Sequence, residues 1–236
     1  MLAAIFWDMD GTMVDSEPLW GVATYELSER LGRRLTPELR AQTVGGSFNN
    51  TLEICAEHAG YDLQESDYRE QRTILFHRVQ ELFHSDLEPQ PGVVELLEDL
   101  AAQDIKMYVT TNTERAIADS SIAAVGEHFF VDSIVGDEVP RQKPYPDMYL
   151  KAADLAEANP EQCLVFEDSL TGITAALEAG CRVIAVPSDS VEKLPQGAVS
   201  LEKLRIADGC PADRAGGFQG VTASDVIRWF TQISTN

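Results

Sequence analysis

The chain has 236 residues, 44% hydrophobic and 24% charged, which suits one large globular domain or a domain with a sizeable insertion. Its 39 acidic and 18 basic side chains give a formal net charge of −21. A chain this acidic repels a phosphate backbone and an anionic membrane face, so we expect neither nucleic acid nor a membrane as a partner.

The compartment is predicted from the N-terminal segment and the cysteines. The apolar start of the chain is cut short by Asp8 and has no basic leader, so we expect no signal peptide. No apolar run approaches the length of a membrane span. The cysteines are widely spaced, without a CxxC pair: Cys55, Cys163, Cys181 and Cys210. This usage predicts free thiols in a reducing cytoplasm.

The first part of the chain predicts one short strand and then a long helical stretch. Residues 3–7 form an apolar run that ends in Asp-Met-Asp-Gly. From about residue 16 to 86, apolar positions recur every three or four residues and none alternate as in a strand. Four helices are expected there: from Ser16 to Gly32, from Thr36 onward, over 50–59, and along the stripe that contains Leu75 and Val79.

After Gly92 the pattern changes to strands that alternate with helices. Strands are predicted at 105–109, 133–135, 163–166 and 182–186, with helices between them and a last helix at 222–233. This alternation predicts βαβ units and a parallel sheet. We therefore expect an α/β fold: a Rossmann-like core of residues 1–15 and 88–236, and an all-α insertion at 16–87. Residues 187–220 are rich in Gly, Pro and Asp and give no clear pattern.

Polar residues follow the predicted strands at the point where each ends. They are Asp8 and Asp10 after the first strand, Thr110, Thr111 and Asn112 after the second, Lys143 in the loop after the third, and Glu167 and Asp168 after the fourth. The carboxyl ends of parallel strands meet at one edge, where ligands bind. Clustered acids repel unless a cation is present, and Mg²⁺ prefers oxygen ligands. Hydroxyls, amides and an ammonium beside the metal would suit a phosphoryl group.

Each of these motifs also has an ordinary structural explanation. The DxDG stretch could be a turn, the Thr-Thr-Asn a helix cap, Lys143 a solvated loop charge and the acids of 167–168 a helix start. Their joint occurrence after successive strands favours the functional interpretation.

The motifs together resemble the haloacid dehalogenase (HAD) superfamily, in its subgroup with a helical cap after the first strand (subclass I, β-phosphoglucomutase-like). The resemblance covers residues 1 to about 187 in the family's order. It is carried by Asp8-Met9-Asp10-Gly11-Thr12, Val14 to Pro18, Thr110, Lys143 to Asp147, and Phe166 to Ser169 with Gly172 and Gly180.

The resemblance implies a role for each matched residue. Asp8 would be the nucleophile that forms an aspartyl-phosphate, and Asp10 the general acid and base. Thr110, the amide of Thr111 and Lys143 would hold the phosphoryl oxygens. The implied cofactor is Mg²⁺, held by Asp8, Asp168 and the carbonyl of Asp10, with Glu167 in support.

The same resemblance narrows the reaction. Dehalogenases of the superfamily lack the second aspartate, which is present here as Asp10. Mutases of the β-phosphoglucomutase type carry a His at the place where this chain has Trp20. They also carry an Arg in the cap, at the place after Gly46-Ser47 where this chain has Phe48. We therefore expect a Mg²⁺-dependent phosphatase for a small, sugar phosphate-like phosphomonoester, with a mutase as the alternative. The expected cap contacts to substrate are Trp20, Phe48, Asn49 and Asn50, although Trp20 could equally belong to the cap's own core.

Two other protein classes fit parts of the pattern. A receiver domain of a signalling relay also has acids, Thr and Lys at strand ends, but it is about half this length and its acceptor Asp lies on a middle strand. A binding protein that kept the fold and lost the chemistry would not need every motif residue, and all are present here.

Overall fold

The computed structural model describes residues 1–44, 47–187, 191 and 193–233. The chain divides into two compact units. The first, Met1–Asp15 with Glu88–Asn236, is here called the core unit, and the second, Ser16–Leu87, the helical unit.

The core unit is built on a parallel sheet. Its described strands are β1 (Ala4–Trp7), β2 (Lys106–Thr110), β3 (Asp132–Ile134), β4 (Cys163–Glu167), β5 (Arg182–Ala185) and β6 (Ala198–Ser200). Their order is β3-β2-β1-β4-β5-β6, and every pairing is parallel. The four side chains of β1 are fully buried because neighbours cover both edges and helices both faces, which explains its uninterrupted apolar sequence. The predicted α/β fold is confirmed.

The helical unit contains only helices among its described residues. They are α1 (Glu17–Arg30), α2 (Pro37–Ala41), α3 (Phe48–Ala59) and α4 (Glu65–Asp86). The start of α3 is earlier than predicted because the hydroxyl of Ser47 caps it, accepting from the amide of Asn50. Gly60 ends the helix in the left-handed conformation, with φ of 66°.

The described residues of the core unit form six further α-helices. They are α5 (Val93–Ala102), α6 (Arg115–Val125), α7 (Asp147–Leu155), α8 (Leu170–Glu178), α9 (Leu201–Ala207) and α10 (Ala223–Gln232). The last begins with a capping box, as its sequence predicts: Thr222 and Asp225 each bond the other's main-chain amide. In the described part of the chain, no helix combines the length and apolar character needed to cross a membrane.

The segment after β5 has structure that the sequence pattern did not predict. It contributes β6 and α9, and the hydroxyl of Ser200 caps α9. Both elements are short, and the side chains of β6 are only half-buried, so neither displays a full period of apolar positions. Ser188, Asp189, Ser190 and Glu192 of this segment lie outside the described residues.

Candidate active site

Two neighbouring strands place an acid each at the same edge of the sheet. Asp8 follows the last residue of β1, and Glu167 is the last residue of β4. The ammonium of Lys143 lies between them. Its Nζ donates to Asp8 Oδ1 at 2.7 Å, to Glu167 Oε1 at 2.5 Å and to the main-chain oxygen of Thr110 at 3.0 Å. The side chain of Lys143 is only 2% exposed, so this is a buried three-part ion cluster.

The cluster shifts the titration of its members. Burial, reinforced by the negative charge of Glu167, raises the pKa of Asp8 well above its usual value, against the opposing effect of Lys143. Burial alone would lower the pKa of Lys143, but the charges of Asp8 and Glu167 outweigh it and raise that pKa well above its usual value. The ammonium therefore stays charged.

Glu167 is held on all sides by donors. Besides Lys143, its carboxylate accepts from the hydroxyl of Tyr149 at 3.2 Å. It also accepts from both the amide and the hydroxyl of Ser169, each at 2.9 Å. Gly172 packs so closely that a Cβ built there would lie 1.6 Å from Oε1. The position of this carboxylate is therefore fixed, and through it the position of Lys143.

A third acid completes a group that could hold a metal. Ligand oxygens of Asp8, Glu167 and Asp168 lie within 4.8 Å of one another. The hydroxyl of Thr12 connects two of them, at 3.1 Å from Asp8 Oδ2 and 3.4 Å from Asp168 Oδ1. Gly11 has φ of 91°, and its missing Cβ would lie 2.2 Å from Asp168 Oδ2. Three carboxylates beside one ammonium are a donor set that suits a hard divalent cation such as Mg²⁺.

The carboxylate of Asp10 contacts the polar residues that follow β2. It accepts from the hydroxyl of Thr113 at 2.7 Å, and the hydroxyl of Thr111 lies 3.5 Å from the same oxygen. The hydroxyl of Thr111 accepts in turn from the amide of Thr113. Thr113 was not among the predicted site residues, although its place in the polar run after β2 is a signal for such a role.

The side chain of Thr110, a predicted phosphoryl contact, makes a hydrogen bond within the sheet. Its hydroxyl is fully buried and donates to the main-chain oxygen of Trp7 on the adjacent strand at 3.3 Å. Successive side chains of a strand point to opposite faces, so Thr110 and Thr111 differ in direction. What Thr110 gives the site is its carbonyl, which accepts from Lys143.

Asn112 was predicted only as part of the strand-end cluster, and the structure gives it a defined contact. Its side-chain amide pairs with the main chain of Lys143, accepting from the amide nitrogen at 2.9 Å and donating to the carbonyl at 3.2 Å. The polar run after β2 therefore anchors the Lys143 loop.

The cap candidates lie in the helical unit. Trp20 packs edge-on against Phe76 and Phe83, with ring centroids 6.4 and 6.1 Å apart. Phe48 packs edge-on against Phe76. Asn49 and Asn50 are exposed. Trp20 thus contributes to the aromatic packing of its own unit, and Gly46, used above to locate the cap turn, lies outside the described residues.

Comparison with known proteins identifies the family. The family model of the haloacid dehalogenase-like hydrolases matches residues 5–186. The chain belongs to this family. The predicted resemblance is therefore confirmed.

Named relatives support the enzyme class. The chain is 31% identical to a phosphorylated carbohydrates phosphatase of Thermotoga maritima over 86% of this chain and 94% of that protein. It is 30% identical to the fructose-1-phosphate phosphatase YqaB of Escherichia coli, over 78% and 96% respectively. These relatives support the prediction of a phosphoric monoester hydrolase.

A solved structure supports the fold. The β-phosphoglucomutase of Clostridium difficile superposes with a TM-score of 0.73, covering 98% of each chain at 19% identity. At this identity the likeness concerns the fold alone.

Proposed function

We propose that the protein is a Mg²⁺-dependent phosphatase that hydrolyses a small, sugar phosphate-like phosphomonoester through an aspartyl-phosphate on Asp8. One observation carries the proposal: Asp8 shares the buried ammonium of Lys143 with Glu167 and lies within ligand distance of Asp168. A single site thus offers a nucleophile, a cation for the phosphoryl oxygens and acids for a metal.

The proposed reaction has two chemical steps, and each uses both aspartates. An Asp8 carboxylate oxygen attacks phosphorus, and the bond from phosphorus to the leaving oxygen breaks as Asp10 donates its proton to that oxygen. Water then attacks the phosphoryl group, Asp10 takes a proton from it, and the bond between Asp8 and phosphorus breaks. The bond from Thr113 holds Asp10 for both proton transfers.

Asp8, Asp168 and the main-chain oxygen of Asp10 would hold Mg²⁺, with Glu167 behind them. When bound, the cation supplies positive charge to the transferring phosphoryl oxygens. Lys143, which contacts Asp8 Oδ1, would supply the same sign of charge to the phosphoryl oxygens. We further propose Thr111 in place of Thr110 as the hydroxyl that contacts the phosphoryl group, because the hydroxyl of Thr110 is bonded within the sheet.

The substrate and compartment are part of the same proposal. The named relatives act on phosphorylated carbohydrates and fructose 1-phosphate, which favours a sugar phosphate. Trp20, Phe48, Asn49 and Asn50 remain the proposed cap contacts, since aromatic and amide side chains suit a sugar. The four cysteines are free, which favours a reducing cytoplasm.

Release of inorganic phosphate from p-nitrophenyl phosphate with Mg²⁺ tests the nucleophile. We expect Asp8→Asn to abolish release, whereas Asp104→Asn, a matched change at an exposed turn before β2, leaves it unchanged. Equal release by wild type and Asp8→Asn would refute the assignment. If Asp104→Asn lowers phosphate release as much as Asp8→Asn does, loss of one negative charge alone is responsible for the effect.

A second measurement separates the hydrolase from the mutase. A phosphatase releases one inorganic phosphate for each sugar phosphate consumed, whereas a mutase returns the phosphoryl group to a sugar. A panel of sugar phosphates assayed for both phosphate and isomerised sugar phosphate distinguishes them. Isomerisation that outpaces phosphate release would favour the mutase.

A further inference from the structure

The segment after β5 lies beyond the stretch matched by the family model, yet it packs firmly on the core unit. Phe218 is 1% exposed, and its ring meets those of Trp7 and Phe166 at centroid distances of 5.5 Å. Trp7 and Phe166 belong to the two strands that position the candidate site. The segment after β5 is therefore built into the same part of the core.

A buried arginine stabilises the conformation of the loop of residues 214–219. Arg205, on α9, is 7% exposed and donates to the main-chain oxygens of Arg214, Gly217 and Gln219. On the other side, Gly92 has φ of 88°, and a Cβ there would lie 2.3 Å from the amide of Gln219. The loop is fixed by these contacts.

A cavity of about 330 Å³ lies between this loop and the main chain beside the nucleophile. Gly11 and Thr12 line it on one side, and Arg214 with Gly216 to Gln219 on the other. The guanidinium of Arg214 has no ion-pair or hydrogen-bond partner among the described residues, and Arg214 is exposed. By contrast, acids pair with the arginines at 78, 115, 141 and 228. Arg214 therefore places at the wall of this cavity a cation that has no acidic partner among the described residues.

The strand order separates this cavity from the residues around Asp10, which is the proposed proton donor to the leaving group. The donor to Asp10 is Thr113, which follows β2, whereas the cavity is lined by Val186 at the end of β5. Because β1 lies between β2 and β4, and β5 lies beyond β4, the two places are on opposite sides of β1. A leaving group protonated by Asp10 is thus not directed toward Arg214.

We propose that the cavity is a second anion site, which binds the carboxylate or phosphate group of a small organic molecule other than the substrate. The guanidinium of Arg214 offers a two-pronged donor set to such a group, and Gln90 and Gln219 add polar groups to the wall. Pro91 and Phe218 offer apolar surface for the carbon part of the molecule.

The wall shared with the candidate active site gives this second site a route to influence catalysis. Thr12 lines the cavity, and its hydroxyl contacts both Asp8 and Asp168. A ligand that shifts the main chain at Gly11 and Thr12 would alter those two contacts. Its binding and the binding of substrate are therefore coupled, and the coupling is reciprocal.

Calorimetric titration of the 236-residue chain in a buffer that contains Mg²⁺ tests the proposal. Citrate serves as the carboxylate probe, with its heat of Mg²⁺ chelation measured in a protein-free blank and subtracted, and inorganic phosphate serves as the phosphate probe. Wild type is compared with Arg214→Gln, Arg214→Lys and a control, Lys106→Gln, which removes an exposed cation at the first residue of β2. We expect at least one probe to bind about tenfold or more weakly to Arg214→Gln. Arg214→Lys should fall between, and Lys106→Gln should equal wild type. Wild type should bind inorganic phosphate at two sites, and Arg214→Gln should bind it at one.

Two results would overturn the second site. One is that neither citrate nor phosphate binding, at concentrations up to the millimolar range, depends on Arg214. The other is a single phosphate site that is weakened in Arg214→Gln together with a higher KM for p-nitrophenyl phosphate, which would assign Arg214 to the substrate. Phenylglyoxal modification of wild-type Arg214, followed by mass spectrometry, needs no variant. Protection by the bound probe supports the site, and modification at an unchanged rate refutes it.

Discussion

Gly172→Ala is the sharpest test of how Glu167 is held. The added Cβ would lie 1.6 Å from Glu167 Oε1 and 2.0 Å from its carboxyl carbon, so the carboxylate must move. It then loses bonds now made by Lys143 at 2.5 Å and by Ser169 at 2.9 Å. The substitution therefore acts on the ion cluster without removing any charged group.

The size of the effect follows from those bonds. A hydrogen bond to a charged group contributes roughly 1.5–3 kcal/mol, so the loss of two costs about 3–6 kcal/mol. Alanine favours a helix over glycine by about 1 kcal/mol, which offsets part of this cost. We expect the free energy of unfolding to fall by about 2–5 kcal/mol. At about 2–4 °C per kcal/mol for a chain of this size, Tm falls on the order of 10 °C.

The assay is thermal unfolding followed by calorimetry, with phosphate release measured on the same samples. Gly21→Ala is the matched control, since a Cβ in that helix interior meets nothing closer than Arg40 Nη2 at 3.5 Å. The control should unfold at the wild-type temperature or slightly above. Glu167→Asp shortens the acid and makes room for the added Cβ. The double variant should therefore have a higher free energy of unfolding than the sum of the two single changes predicts. The reasoning fails if Gly172→Ala is as stable and active as Gly21→Ala.

Three further predictions concern side chains whose surroundings the structure defines. Thr111→Val should lower kcat/KM for phosphate release more than Thr110→Val does. Thr110→Val should mainly lower the free energy of unfolding, by about 1 kcal/mol, because it removes one buried hydrogen bond. If Thr110→Val lowers kcat/KM more in a side-by-side assay, Thr110 is the phosphoryl contact instead. In the native protein at pH 8, Cys210 should react fastest with a thiol reagent. Burial raises the pKa of Cys55 to about 11 and that of Cys163 to about 12, so both thiols stay protonated until the pH approaches those values. Equal reaction rates for all four cysteines, measured by peptide mapping, would contradict this prediction. Thr222→Ala should lower the free energy of unfolding by about 1 kcal/mol in urea titration through loss of the α10 cap, and an unchanged midpoint would show that the cap does not contribute.

The sequence was most informative where local chemistry dictates structure. The apolar run of β1 has to be buried on both faces, and the acids that follow it have to emerge at the sheet edge. Helix starts at Thr36 and Thr222 follow from hydroxyls that bond nearby amides. These signals act over a few residues, so they are legible without knowledge of the fold.

The sequence failed where an element is short or where direction matters. The three residues of β6 lie half-buried next to β5, and the buried residues of the short helix α9 are Leu201 and Arg205, so neither element shows a full apolar period. Thr110 and Thr111 are chemically alike, and only the register of β2 against β1 decides that the first donates to Trp7. Thr113 gained its role only when the fold brought it to Asp10.

By itself, the sequence determined the α/β fold, the family and the set of acids, hydroxyls and lysine from which the site is built. The tertiary structure decided which of these groups share a proton or a charge: Lys143 with Asp8 and Glu167, Thr113 with Asp10, and Thr12 with two acids. It also decided that Arg214 lines a cavity beside Gly11. The reason is physical: residue types and strand ends are fixed by local preference, whereas contacts between side chains on different strands and loops depend on strand order and register.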